Sequence, residues 1–251
     1  MPRTASKVAR VTLAFWIMKI CATTLGETGG DLLSMTLDIG YLLSSLLLLA
    51  VFLATLLLQL RSKRFHPMLY WAVIVSTSTA GTTISDFLDR TLGLGYAAGA
   101  TILVACLALV LALWRACEGT LSVDRIAGRR AELFYWIAIL CSNTLGTALG
   151  DYLADDTGLG FLGGAVLVGG SIALTAAAMR FTRIDRVLLF WIAFVLTRPF
   201  GATFGDLLTK PIDRGGLAFG TIGSSAVLAA ILVAMVFQVH RRMQRAAISV
   251  E

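Results

Sequence analysis

The sequence predicts an all-α integral membrane protein of eight transmembrane helices, built from four parallel helix-hairpin repeats in a pseudo-fourfold or double-twofold arrangement. Three observations carry this expectation. Apolar runs reach the length needed to cross a bilayer, one tryptophan–aspartate spacing recurs four times, and basic residues fall almost entirely in alternate loops.

Hydrophobic residues make up 57% of the 251-residue chain and charged residues only 14%, against about 25% charged in a soluble domain. Mean hydropathy is +0.83. Runs such as 39–60 and 217–238 match the roughly 20 apolar residues of a spanning helix. They lack the alternating polarity of a barrel strand, and only a helix satisfies its own backbone in lipid. The first ten residues are basic and polar. The apolar run after them contains Lys19, Glu27 and Asp31 without a small-residue cleavage site, so it reads as a retained helix.

The repeat fixes the elements. Trp16, Trp71, Trp136 and Trp191 are separated by 55, 65 and 55 residues. Fifteen residues after each comes an aspartate: Asp31, Asp86, Asp151 and Asp206. Five residues before each aspartate is a glycine, Gly26, Gly81, Gly146 or Gly201, and two residues after it a leucine, Leu33, Leu88, Leu153 or Leu208. Four coincident spacings imply duplication. Each copy then turns through a short polar loop into a plainer apolar helix, which starts Gly-Tyr at Gly40 and Gly95 and Gly-Phe at Gly160. The fourth copy departs, with Leu217, Ala218 and Phe219 in that place. One transmembrane domain, 1–251, therefore divides into repeats at about 11–60, 66–115, 131–180 and 186–240. The expected helices are 12–34, 39–60, 68–88, 94–114, 133–153, 158–179, 187–209 and 217–239.

Sixteen of the 21 Lys and Arg residues lie at the termini or between repeats, Arg61, Arg115, Arg180 and Arg242 among them. The loops within repeats hold only Arg90, Lys210 and Arg214 beside five aspartates. The positive-inside rule then places both termini in the cytoplasm. It also accounts for the net charge of +6 without nucleic acid. The expected partners are the lipid bilayer, a cation substrate and a second copy of the chain.

At 1.5 Å per residue each aspartate lies about 22 Å from its tryptophan. A tryptophan in the cytoplasmic aromatic belt puts the acid in the outer part of an apolar core about 30 Å thick. Carboxylates there are costly and mark sites. Asp31, Asp86, Asp151, Asp206 and Glu27 are the candidate ion-binding and metal ligands. Glu27 lies one turn before Asp31 on the same face. Thr24, Thr79, Thr144 and Asn143 are candidate supporting groups. Lys19 reads as a snorkelling lysine and Arg198 as the neutraliser of one carboxylate. Against these two bases the five acids leave a formal −3.

The segment FWIMKICATTLGETGGDLLS and its weaker echoes resemble a bacterial family of multi-pass proteins described only as predicted membrane-anchored proteins. That resemblance implies a bacterial cytoplasmic membrane and no particular activity. The chain is also loosely similar to manganese and calcium exporters with an E-x-G-D motif. Here Glu27 and Asp31 are one residue further apart, and Leu32 replaces the basic residue after the aspartate. What this similarity implies is chemical: acids on opposing helices make a hard-cation site.

The leading expectation is a transporter or channel for a hard cation, a divalent metal or one coupled to protons, with no cofactor beyond a bound divalent ion. Neither His66 nor His240 falls within an expected helix, which disfavours an imidazole site. Four cysteines show no C-x-x-C pair. An intramembrane aspartyl protease would need G-x-G-D, but Thr28, Ala148 and Thr203 replace the first glycine; no enzyme is expected. The alternative is a sensor or assembly protein whose acids pair with a partner helix.

Overall fold

A computed structural model describes residues 8–62, 64–123, 126 and 128–248. Arg3, Lys7, Lys63 and Arg125 of the basic loops lie outside them. The chain is all-α, with eight long helices: α1 (Leu13–Asp31), α2 (Tyr41–Arg61), α3 (Pro67–Asp86), α4 (Tyr96–Glu118), α5 (Arg129–Asp151), α6 (Gly160–Phe181), α7 (Arg186–Thr209) and α8 (Thr221–Ile248). Local chemistry sets the boundaries. Thr12 and Asp185 cap α1 and α7 by accepting the amides of Phe15 and Leu188 at 3.3 and 2.8 Å. Pro67 opens α3, where a missing N–H costs nothing. Three helices outrun the expectation by four residues or more: α4 runs on to Glu118, α5 begins at Arg129, and α8 runs to Ile248.

The sequence gives no sign of the π-helical turn that follows each of the first three aspartates, at Leu32–Thr36, Phe87–Thr91 and Tyr152–Asp156. In each a wide bond closes it, such as Leu37 N–H to Leu32 O at 2.8 Å. The Gly-aromatic starts have a conformational cause. Gly40, Gly95 and Gly160 have φ of 81°, 73° and 66°, a region that side chains disfavour. In the fourth copy Pro211 stops the helix, and Gly220, at φ 73°, takes the same role just before α8. The departure in copy four is therefore a longer hairpin and not a lost one.

The first helices of the repeats form a closed inner ring, α1 against α3, α3 against α5, α5 against α7 and α7 against α1. Each second helix packs outside on the first helix of the next repeat: α2 on α3, α4 on α5, α6 on α7, and α8 on α1. The recurring glycine makes the ring possible. A Cβ on Gly26 would come within 2.4 Å of Ser78, on Gly81 within 3.0 Å of Asn143, on Gly146 within 2.3 Å of Arg198, and on Gly201 within 2.6 Å of Thr23. Those four partners occupy one repeat position, seven residues after each tryptophan, so the same contact is made four times around the ring.

At the opposite end from the aspartates, an aromatic belt ties copy to copy. Phe15 meets Trp71, Tyr70 meets Trp136, Tyr135 meets Trp191 and Phe190 meets Trp16, with ring centroids 5.8, 5.5, 6.4 and 5.7 Å apart. The Tyr70 and Tyr135 hydroxyls share a 2.6 Å hydrogen bond. Trp71, Trp136 and Trp191 are buried at 3%, 0% and 5% exposure, because each fills the joint between consecutive repeats.

Polarity is inverted relative to a soluble protein. Leu42, Leu43, Leu46, Val104, Leu109, Val166, Leu174 and Val227 of the outer helices are exposed. Lys19, Thr23, Glu27, Thr82, Asn143, Thr147 and Arg198 of the inner ring are buried. Among the described residues six helices, all but α1 and α3, are long and apolar enough to cross a membrane. Those two carry the densest hydroxyl and charged content and lie within the ring.

Candidate functional site

Two polar layers fill the ring. The deeper one centres on Arg198 of α7, which is completely buried. Its Nη1 donates to Glu27 Oε2 at 2.9 Å and to Thr23 O at 3.4 Å. Its Nη2 donates to Thr147 Oγ1 at 2.7 Å, to Ser78 O at 3.4 Å, and to Thr82 Oγ1. One guanidinium thus ties α7 to α1, α3 and α5. A guanidinium's fixed fork suits such a junction. Beneath it, Lys19 is buried, with Nζ 3.5 Å from Asn143 Oδ1 and 4.2 Å from the centroid of Phe194. Asn143 in turn donates to Thr77 Oγ1 at 2.9 Å.

The outer layer holds the four aspartates, all buried. Two cations divide them into pairs. Arg90 reaches Asp86 Oδ1 and Asp151 Oδ2, each at 3.1 Å. Lys210 reaches Asp31 Oδ2 at 2.6 Å and Asp206 Oδ1 at 3.1 Å. Lys210 lies just past the end of α7. Burial works against its ammonium, but the carboxylates of Asp206 and Asp31 outweigh that and hold it above the ordinary lysine range. Asp206 Oδ1 meets no donor besides this ammonium among the described residues.

The carboxylate that Arg198 pairs with is that of Glu27. Several other expectations change here. Lys19 does not snorkel, because the aromatic belt closes the ring below it. Thr24, Thr79 and Thr144 do not support the acids: their hydroxyls return to the carbonyls of Ile20, Val75 and Leu140 in their own helices, at 3.0, 3.2 and 3.0 Å. Thr82 and Thr147, three residues further along, face inward instead. Asn143 serves Lys19. With Arg90 and Lys210 counted, five acids meet four bases and the balance is −1, not −3.

Arg90 and Lys210 are the site residues that sequence reasoning missed, since both were assigned to loops. The signal was present. Each lies four residues after its aspartate, the spacing of a helical ion pair, where copies one and three have Met35 and Asp155. Of the five candidate acids, Glu27, Asp31 and Asp206 each bring an oxygen within 4.8 Å of the others, the one such group among the described residues. Asp86 and Asp151 belong to the Arg90 pair.

A repeat-family model matches four times, at residues 14–65, 69–120, 134–185 and 189–244. The chain belongs to the Repeat of Unknown Function (DUF347) family. In this DUF347 protein the four matches coincide with the four hairpins around the ring. No curated protein matches the chain, and no solved structure does.

Proposed function

We propose that this protein is a transporter of a hard cation in the bacterial cytoplasmic membrane, with Glu27, Asp31 and Asp206 as its binding site and both termini in the cytoplasm. The inverted polarity supports the membrane reading. Apolar side chains cover the outer helices while charges and hydroxyls face inward, as lipid demands. The sixteen-to-three division of basic residues between the two sets of loops supports the orientation.

The observation that carries the functional reading is the three-carboxylate group, drawn from α1 and α7, within 4.8 Å. Carboxylate oxygens are the ligands hard cations take. Two of its members, Asp31 and Asp206, already hold a cation, the Lys210 ammonium. An assembly role through acid–partner pairing fits less well, because each of the five candidate acids, Glu27, Asp31, Asp86, Asp151 and Asp206, has an internal cation within 3.1 Å.

Purified protein in liposomes should take up Mn²⁺ or Ca²⁺, and Asp31→Asn should abolish uptake while the variant remains folded. Absence of flux for either ion in the wild type, or normal flux in both Asp31→Asn and Asp206→Asn, would reject this function.

A further inference from the structure

The two cations of the aspartate layer occupy the same repeat position, but they are held very differently. Arg90 is clamped. Besides its two carboxylates it donates to Tyr41 Oη at 3.2 Å and lies between the rings of Tyr41 and Tyr96, 5.9 and 5.7 Å from their centroids. Lys210 has no such frame. Beyond Asp31 and Asp206 its ammonium meets, among the described residues, only Met35 Sδ, at 3.9 Å. Its backbone is fixed, with the amide bonded to Asp206 O at 2.8 Å and the carbonyl accepting from Ala218 at 3.0 Å. Its side chain is 17% exposed at the outer mouth, so a flexible four-carbon stem can withdraw without moving the helix.

We propose that Lys210 is a tethered competitor for the transported cation: its ammonium occupies the Asp31–Asp206 side of the Glu27–Asp31–Asp206 site when no ion is bound, and a divalent ion displaces it toward the outer surface. Arg90, clamped on Asp86 and Asp151, is a permanent lock on the other half of the layer. This rests on the cation-site reading and deepens it. The tether keeps the carboxylates from being left uncompensated between turnovers, which at this depth would be costly. It also restricts the site to ions that bind oxygen more strongly than an ammonium does. A divalent ion meets that condition better than a monovalent one.

Two measurements on the full-length protein in detergent test this. Mn²⁺ binding is read from the loss of the free-ion electron paramagnetic resonance signal, and amine modification of Lys210 is read by mass spectrometry with and without Mn²⁺. Lys210→Met should bind Mn²⁺ about 10–100-fold more tightly, the span of one charge-assisted hydrogen bond removed from competition. In the wild type, Mn²⁺ should raise modification of Lys210. Equal affinity in Lys210→Met and wild type overturns the tether. So does tighter binding with unchanged Lys210 modification, which would reduce the effect to net charge. In both cases Mn²⁺ binding that is lost in Asp31→Asn leaves the cation site standing. No Mn²⁺ binding to either protein overturns tether and site together. If Lys210→Met does not fold, the modification measurement on the wild type decides.

Discussion

Removing Arg198 tests the deeper polar layer most sharply. Arg198→Met keeps the stem and most of the volume but deletes every donor that the guanidinium offers to Glu27, Thr23, Ser78, Thr82 and Thr147. It leaves the Glu27 carboxylate, 3% exposed, without its cation. Breaking one side of a buried ion pair costs about 3–5 kcal/mol. In a chain of this size each kcal/mol lowers the unfolding midpoint by about 2–4 °C. The expected fall is therefore roughly 6–20 °C, followed by tryptophan fluorescence during heating in detergent. Adding Glu27→Gln should recover part of the loss, because the second change removes the orphaned charge. A midpoint within about 2 °C of wild type for Arg198→Met, or a double variant that falls by the sum of the two single effects, would refute the account of Arg198 as the junction of the ring.

Ring closure makes a steric prediction. Gly146→Val should abolish folded yield, since a Cβ there falls 2.3 Å from Arg198 Cγ, whereas Gly170→Ala, with open space around it, should be neutral in the same size-exclusion assay. The aromatic belt predicts that Trp136→Ala lowers the unfolding midpoint by an amount comparable to Arg198→Met, because truncating a buried tryptophan costs about 3–5 kcal/mol; an unchanged melt would contradict the inter-repeat role. The clamp on Arg90 predicts that Arg90→Met destabilises the protein more than Lys210→Met does, and calorimetric scans of the two variants would check this. For orientation, a cysteine at Asp156 in a cysteine-free background should react with an impermeant maleimide on intact cells and one at Arg242 only after permeabilisation; the reverse pattern would invert the topology.

Much of this was legible in the sequence, because it is carried by periodicity. Trp16, Gly26 and Asp31 and their three sets of counterparts mark equivalent places on equivalent helices, so repeat number and helix order follow from spacing alone. Pairing was harder to read. Whether Arg198 reaches an aspartate or Glu27 depends on the stagger between α7 and α1, which no single-helix pattern contains. The inward role of Thr82 and Thr147 rather than Thr79 and Thr144 depends on a rotation of one residue step about the helix axis. Arg90 and Lys210 were obscured for a different reason: π-turns and a helix end carry them beyond the apolar runs, where a charge ordinarily signals a solvated loop.

The central claim is that Glu27, Asp31 and Asp206 bind a cation in place of Lys210. The most direct test is an anomalous difference map from crystals grown in Mn²⁺. The account predicts a peak among the carboxylates of these three residues, with Lys210 Nζ withdrawn from Asp31 and Asp206. A map with Lys210 still bridging both aspartates and no peak beside them, or with the ion at Asp86 and Asp151 instead, would contradict it.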